Sequence, residues 1–178
     1  LDMQLAKPGN YIYLKRASFC SELIPLIENF YRQLANNGEL VACKYESALH
    51  DSKMEEVLMR SRQKDRVLQR SSAGIHRDEL IFELNGQPFK AIASQGQRKS
   101  LLFSLKLAEY ELIKKHKGFS PLLLLDDVFE KLDDNRMSNL LHWVCNENTG
   151  QVLITDTHKE RLQDAFKKLN TAYQIIEL

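Results

Sequence analysis

The chain has 178 residues, with 25 basic against 24 acidic side chains, 43% hydrophobic and 28% charged residues, the balance of an ordinary soluble globular protein. A net charge of +1 excludes a wholesale polybasic nucleic-acid binder, so any such contact must come from a local patch. The longest strongly apolar stretch, Pro121 to Leu125, is far too short for a membrane span.

Three cysteines, Cys20, Cys43 and Cys145, none in CxxC spacing, argue against both a disulfide framework and a zinc site. No signal-peptide pattern opens the chain, which makes the cytoplasm the expected compartment. Leu1 stands where a methionine would begin a complete protein, which is expected of a piece of something longer and equally of a processed terminus.

From Cys20 to Ala35, apolar residues recur at three and four. That spacing predicts a helix capped by Ser18 or Ser21, with Pro25 in its first turn and Asn36-Asn37-Gly38 as its stop. Glu39 to Tyr45 alternates enough for a strand. Met54, Val57 and Leu58 begin a second helical pattern, which runs into the basic stretch from Arg60 to Arg66. After Ser71-Ser72-Ala73-Gly74, two strand-like runs, Leu80 to Leu84 and Phe89 to Ala93, flank Asn85-Gly86, a strong hairpin signal. A helix from Lys99 to about His116 follows. Leu122 to Leu125 then reads as a strand buried on both faces, followed by a helix from Asn135 to about Cys145 and a strand from Gln151 to Thr155. A helix with Leu162, Ala165, Phe166 and Leu169 on one face and a last strand, Tyr173 to Leu178, complete the chain. The alternation predicts an α/β fold, a parallel sheet flanked by helices, with a boundary near Ser71.

Four stretches carry chemistry. Ser94-Gln95-Gly96-Gln97 directly precedes the long helix; a hydroxyl, a glycine and a helix N-terminus together make an anion site of the phosphate-binding kind, although a polar helix cap presents the same residues. Asp126-Asp127 emerges at the carboxyl end of an apolar strand, where open parallel sheets bind ligands. One of these carboxylates is suited to Mg²⁺ and its neighbour to polarising a water; an acidic helix cap is the plainer reading. Asp133 lies just before the next helix, which either it or Asp134 could cap. Thr155, Thr157 and His158 form a polar cluster after the next strand. Residues 60 to 77 hold Arg60, Arg62, Lys64, Arg66, Arg70 and Arg77 against Asp65 alone. That patch suits DNA phosphates without base readout, and it also fits a solvated helix face.

Order and spacing join these stretches. Ser94 to Asp126 is 32 residues, Asp127 to Asp133 six, and Asp126 to His158 32, which resembles the signature loop, Walker B strand, D-loop and switch region of an ABC-type ATPase. Gly74-Ile75-His76-Arg77-Asp78, Ala93-Ser94-Gln95-Gly96-Gln97-Arg98 and Leu123-Leu124-Leu125-Asp126-Asp127-Val128-Phe129-Glu130-Lys131-Leu132-Asp133 further resemble the RecF family of bacterial DNA replication and repair proteins. The resemblance covers essentially the whole chain and corresponds to the family's C-terminal half.

That resemblance implies the C-terminal part of a P-loop ABC/SMC-head ATPase. Residues 1–70 would belong to the later part of a helical lobe, and 71–178 would complete the ATPase lobe. It implies ATP and Mg²⁺ as cofactors, an ATP-dependent homodimer that clamps DNA, and cooperation with RecO and RecR in loading RecA at single-strand gaps. Residue by residue, Ser94 and Gly96 would meet the γ-phosphate held by the opposite subunit, with Gln95 and Gln97 shaping the loop. Asp126 would organise Mg²⁺ through water, and Asp127 would orient or deprotonate the attacking water. Asp133 would reach across the interface, and Thr155, Thr157 or His158 would serve as the switch. His76-Arg77-Asp78 belongs to the matching motif, with either a nucleotide role or a structural one in which Arg77 pairs with Asp78. No Gly-x-x-x-x-Gly-Lys-Ser/Thr occurs in the chain, so this piece alone is expected not to hydrolyse ATP. A non-catalytic interaction module of SMC-like ancestry is the second reading. A Walker A loop upstream in the gene distinguishes the two.

Overall fold

A computed structural model describes residues 2–35, 38–126, 132–148, 150–156, 159–169 and 172–176. The chain opens with helix α1 (Asp2–Leu34), strand β1 (Val41–Glu46) and helix α2 (Met54–Leu68). A 3₁₀ turn (Ile75–Arg77) leads into β2 (Glu79–Leu84), β3 (Gln87–Pro88) and a one-turn helix α3 (Phe89–Ile92). Then come α4 (Gln95–Lys117), β4 (Leu123–Leu125), α5 (Asp134–His142) with a π-helical turn (Trp143–Glu147), β5 (Val152–Ile154) and α6 (Lys159–Leu169). Among the described residues no helix is long and apolar enough to cross a membrane.

Helix α1 is far longer than its apolar periodicity suggested. It runs 33 residues, through both Pro8 and Pro25, so Pro25 is interior rather than in a first turn. Ser18 and Ser21 are not caps; instead Ser21 Oγ donates to the Ser18 carbonyl at 2.7 Å. Each proline removes one helical hydrogen bond. Packing outweighs that loss, since Ile27, Phe30, Tyr31 and Leu34 lie buried in the main core with Leu107 and Ala108 of α4 and Leu140 and Leu141 of α5.

The Asn85-Gly86 hairpin forms as its turn chemistry requires, with φ of 50° and 77° at the two positions, as a two-residue hairpin loop demands. Its second arm is shorter than expected. Only Glu83↔Pro88 and Leu84↔Gln87 pair, and 89–92 is helical rather than extended. Pro88 has no N–H to continue the ladder, and the buried Phe89 turns inward. On its other edge β2 pairs antiparallel with β1 from Val41↔Leu84 to Glu46↔Glu79.

Strands β4 and β5 form the expected parallel pair, Leu123↔Val152 to Leu125↔Ile154. Leu123 and Leu125 face the core, whereas Leu124 is 66% and Leu153 47% exposed. Within the described residues this strand is therefore covered on one face, not two. Of the last expected strand, Tyr173 to Leu178, the described residues 173–176 form no regular element, and Tyr173 stacks on Phe166 with centroids 4.9 Å apart.

A second, smaller core holds Ala6, Leu49, Met54, Val57 and Leu58. Gly74 borders it with φ +124°, and a Cβ there would lie 2.7 Å from Met54 Cε. Gly74→Ala is expected to cost about 1–3 kcal/mol through backbone strain, measured by chemical denaturation. A variant as stable as the parent would contradict this account of the turn.

Candidate functional site

Ser94 is the N-cap of α4, and Gln95, Gly96 and Gln97 form its first turn. The helix thus begins four residues earlier than the expected Lys99, and the presumed loop is helical. Ser94 Oγ accepts from the Gln97 N–H at 3.2 Å, and Gln97 Oε1 accepts from the Ser94 N–H at 2.8 Å. This reciprocal capping box uses the Gln97 N–H and leaves those of Gln95 and Gly96 without an intrahelical acceptor at a helix end with positive potential. Arg98 fixes the approach by donating to the Ala93 carbonyl at 3.0 Å and the Lys90 carbonyl at 3.2 Å.

Asp126 and Thr155 meet at the carboxyl ends of β4 and β5. The Thr155 N–H donates to the Leu125 carbonyl at 2.9 Å, and Thr155 Oγ1 donates to Asp126 Oδ1. Two candidates 29 residues apart are thus in contact, at the end of a parallel pair where ligands bind. Asp126 also borders a groove of about 320 Å³ between α4 and β4, shared with Leu102, Tyr110 and Leu124. Asp127, Thr157 and His158 lie outside the described residues.

Asp133 is the N-cap of α5, its Oδ1 accepting from the Arg136 N–H at 2.9 Å and its Oδ2 from Arg136 Nε at 3.0 Å. Burial opposes its ionisation, but these bonds and the guanidinium charge outweigh it and hold the carboxyl below the usual range. Arg136 was not legible as a site residue. Its side chain is buried against Glu39, Asp133 and Ser100, and its one sequence signal is the i, i+3 spacing from Asp133.

No protein-family model matches the chain. RecF of Flavobacterium johnsoniae, a DNA replication and repair protein, is 40% identical over 98% of this chain and 49% of its own length. RecF of Parabacteroides distasonis is 35% identical over the whole chain and 49% of its own length. A solved structure of RecF with ATP, described as a recombination mediator protein of the RecFOR pathway, superposes with a TM-score of 0.72 at 29% identity. It covers 89% of this chain and 44% of that one. The chain matches the C-terminal half of RecF. It spans about half the length of the curated relatives it matches.

Asp78 of the Gly74–Asp78 motif has a structural partner other than Arg77. Its side chain is 3% exposed and accepts from Arg16 Nη1 at 3.1 Å and from the Tyr45 hydroxyl at 2.6 Å. Burial, and then that bond to Asp78, push the Tyr45 hydroxyl up to about 12. His76 and Arg77 are exposed, His76 Nε2 lying 3.3 Å from the Ser71 carbonyl. Burial likewise pushes the Cys43 thiol up to about 12, which keeps it an unreactive thiol at neutral pH.

The basic candidates of α2 and its exit, Arg60, Arg62, Lys64, Arg66 and Arg70, are all exposed. Arg60 pairs with Glu56 at 3.6 Å. Asp65, the one acid in the run, turns inward, accepting from Ser72 N–H at 2.8 Å and from Ser61 Oγ at 3.0 Å. Those hydroxyl and backbone bonds to Ser72, with Ser61, keep its carboxyl low.

Proposed function

We propose that this chain supplies the signature, Walker B and D-loop half of a RecF-type ATPase that dimerises on DNA in an ATP-dependent manner during gap repair. The observation that carries the reading is the Asp126–Thr155 contact at the ends of the parallel strands, in a chain whose RecF neighbour holds ATP.

The residues suit the cofactors. Asp126 and Thr155 offer oxygen donors alone, and the described residues hold no cluster of three or more His, Cys, Asp or Glu able to cage a metal. A site with one carboxylate and room for water and phosphate oxygens fits Mg²⁺, which keeps part of its water shell. The first turn of α4 fits a phosphate by its N–H groups and dipole. Mg²⁺, when bound, neutralises charge on the transferring phosphoryl group.

In this reading Asp126 orients the metal's water and Thr155 fixes the Asp126 carboxylate. Asp127 positions or deprotonates the attacking water, and Thr155, Thr157 or His158 acts as the switch. Ser94 and Gly96 contact the γ-phosphate bound by the opposite subunit, with Gln95 and Gln97 shaping that turn, and Asp133 faces the partner. Arg60, Arg62, Lys64, Arg66 and Arg70 contact duplex backbone. Residues 1–70 form the later part of a helical lobe and 71–178 complete the ATPase lobe. RecR and RecO are the cooperating partners and RecA the recombinase loaded; the cytoplasm is the compartment.

Duplex retention and sedimentation of the full-length gene product, with and without ATP and Mg²⁺, test this. ATP is expected to produce a dimer with tighter DNA binding. Ser94→Arg should abolish the ATP response alone. Lys64→Glu with Arg66→Glu should weaken binding in every nucleotide state and flatten the slope of log K against log salt by about 1.8. DNA binding and oligomeric state indifferent to ATP would contradict the proposal.

A further inference from the structure

Arg136 joins three segments that are distant in sequence. Its guanidinium, 5% exposed, donates from Nε to Asp133 Oδ2 at 3.0 Å, from Nη1 to Ser100 Oγ at 3.0 Å and from Nη2 to Glu39 Oε1. The other Glu39 oxygen accepts from the Tyr31 hydroxyl at 2.8 Å, which anchors the cluster on α1. Burial would favour loss of the Arg136 proton, but the bond and charge of Glu39, then Asp133, keep the guanidinium more firmly protonated than usual.

Ser100 lies six residues after Ser94 on the same helix, and Ser104 Oγ donates to the Ser100 carbonyl at 2.7 Å. A helix transmits position along its axis, so fixing Ser100 fixes the Ser94 end. Asp133 has both carboxylate oxygens on Arg136. One planar fork therefore sets the start of α5 against the first turns of α4. A lysine would keep the charge but not the three directed bonds.

We propose that Arg136 is a positioning residue for the composite nucleotide site. It holds Asp133 and the Ser94 end of α4 in one fixed relation, so that both meet the partner subunit's nucleotide together. This rests on the nucleotide reading above. Arg136 touches no nucleotide itself; it acts through Asp133 and Ser100.

Arg136→Lys and Ser100→Ala in the full-length gene product test the inference, with kcat and KM for ATP, ATP-dependent dimerisation and the thermal midpoint as readouts. Ser100→Ala removes only the tie to α4 and is expected to lower kcat about threefold to tenfold. Arg136→Lys should lower it about tenfold or more, since small misplacements are costly in a positioned site. KM should stay within about twofold, because neither residue takes part in the initial binding of ATP, and the ATP-dependent dimer should weaken in both. A folded Ser100→Ala protein with parental kcat and dimerisation overturns the proposal, even where Arg136→Lys fails to fold. A lower midpoint with unchanged kcat also overturns it, since that is the mark of a structural brace. A parent protein without ATP-dependent dimerisation or turnover instead overturns the nucleotide reading beneath it.

Discussion

Replacing Arg136 by methionine is expected to lower the unfolding free energy by about 3–5 kcal/mol, the range for removing one partner from a buried ion pair. Glu39 is left with only the Tyr31 hydroxyl among its side-chain partners described above, in a site where its side chain is 16% exposed. Ser100 Oγ and Asp133 lose charged donors at the same time. Much of the loss is the cost of a carboxylate kept dry without its cation, so Arg136→Met combined with Glu39→Met should recover most of it. Urea unfolding of both variants measures this. A loss below about 1 kcal/mol in the single variant would show that the cluster is solvated rather than buried. The cluster also has a pH signature. Asp133 is held below its ordinary range by Arg136, so its contribution is fully present above the unfolded-state value of about 3.9. It is lost as pH falls through the lowered folded value. The parent should therefore lose stability over that acid window, and Arg136→Met should lose less.

Asp127→Asn in the full-length gene product is expected to reduce ATP turnover by about a hundredfold to ten-thousandfold, the usual worth of a positioned general base. ATP binding and ATP-dependent dimerisation should persist, because amide and carboxylate are nearly the same size and only water activation is lost. Asp126→Asn should act differently, raising the Mg²⁺ concentration needed as well as lowering turnover, since its carboxylate is the one held by Thr155. An Asp127→Asn protein with parental turnover would remove Asp127 from the chemistry.

Local pattern exposed much of this. The long α4, the Asn85-Gly86 turn and the β4–β5 pair follow from periodicity and turn chemistry within a few residues of each position. The same locality explains the failures. The first half of α1 carries Met3, Tyr11 and Leu14 outward, so it shows no clean apolar face, and Pro8 and Pro25 argue locally against a helix that tertiary packing sustains. Residues 89–92 alternate like a strand, but Pro88 ends the ladder before them. At the site, Ser94, Asp126 and Asp133 were legible as residue types in an ordered spacing. The Asp126–Thr155 contact required the strand register, and Arg136 required a partner 97 residues away. The bonds of Asp65 to Ser61 and Ser72 also required the fold, since the basic stretch shows only its charge.

As proposed, this chain carries the Asp126–Asp127 and Ser94 elements of a composite ATPase and needs a phosphate-binding loop that its 178 residues do not contain. The most direct measurement is steady-state Mg²⁺-ATP hydrolysis by the purified chain beside the full-length gene product. No turnover by the chain alone and slow turnover by the longer protein are expected. Mg²⁺-dependent hydrolysis by the chain alone, abolished by Asp127→Asn, would contradict the proposal.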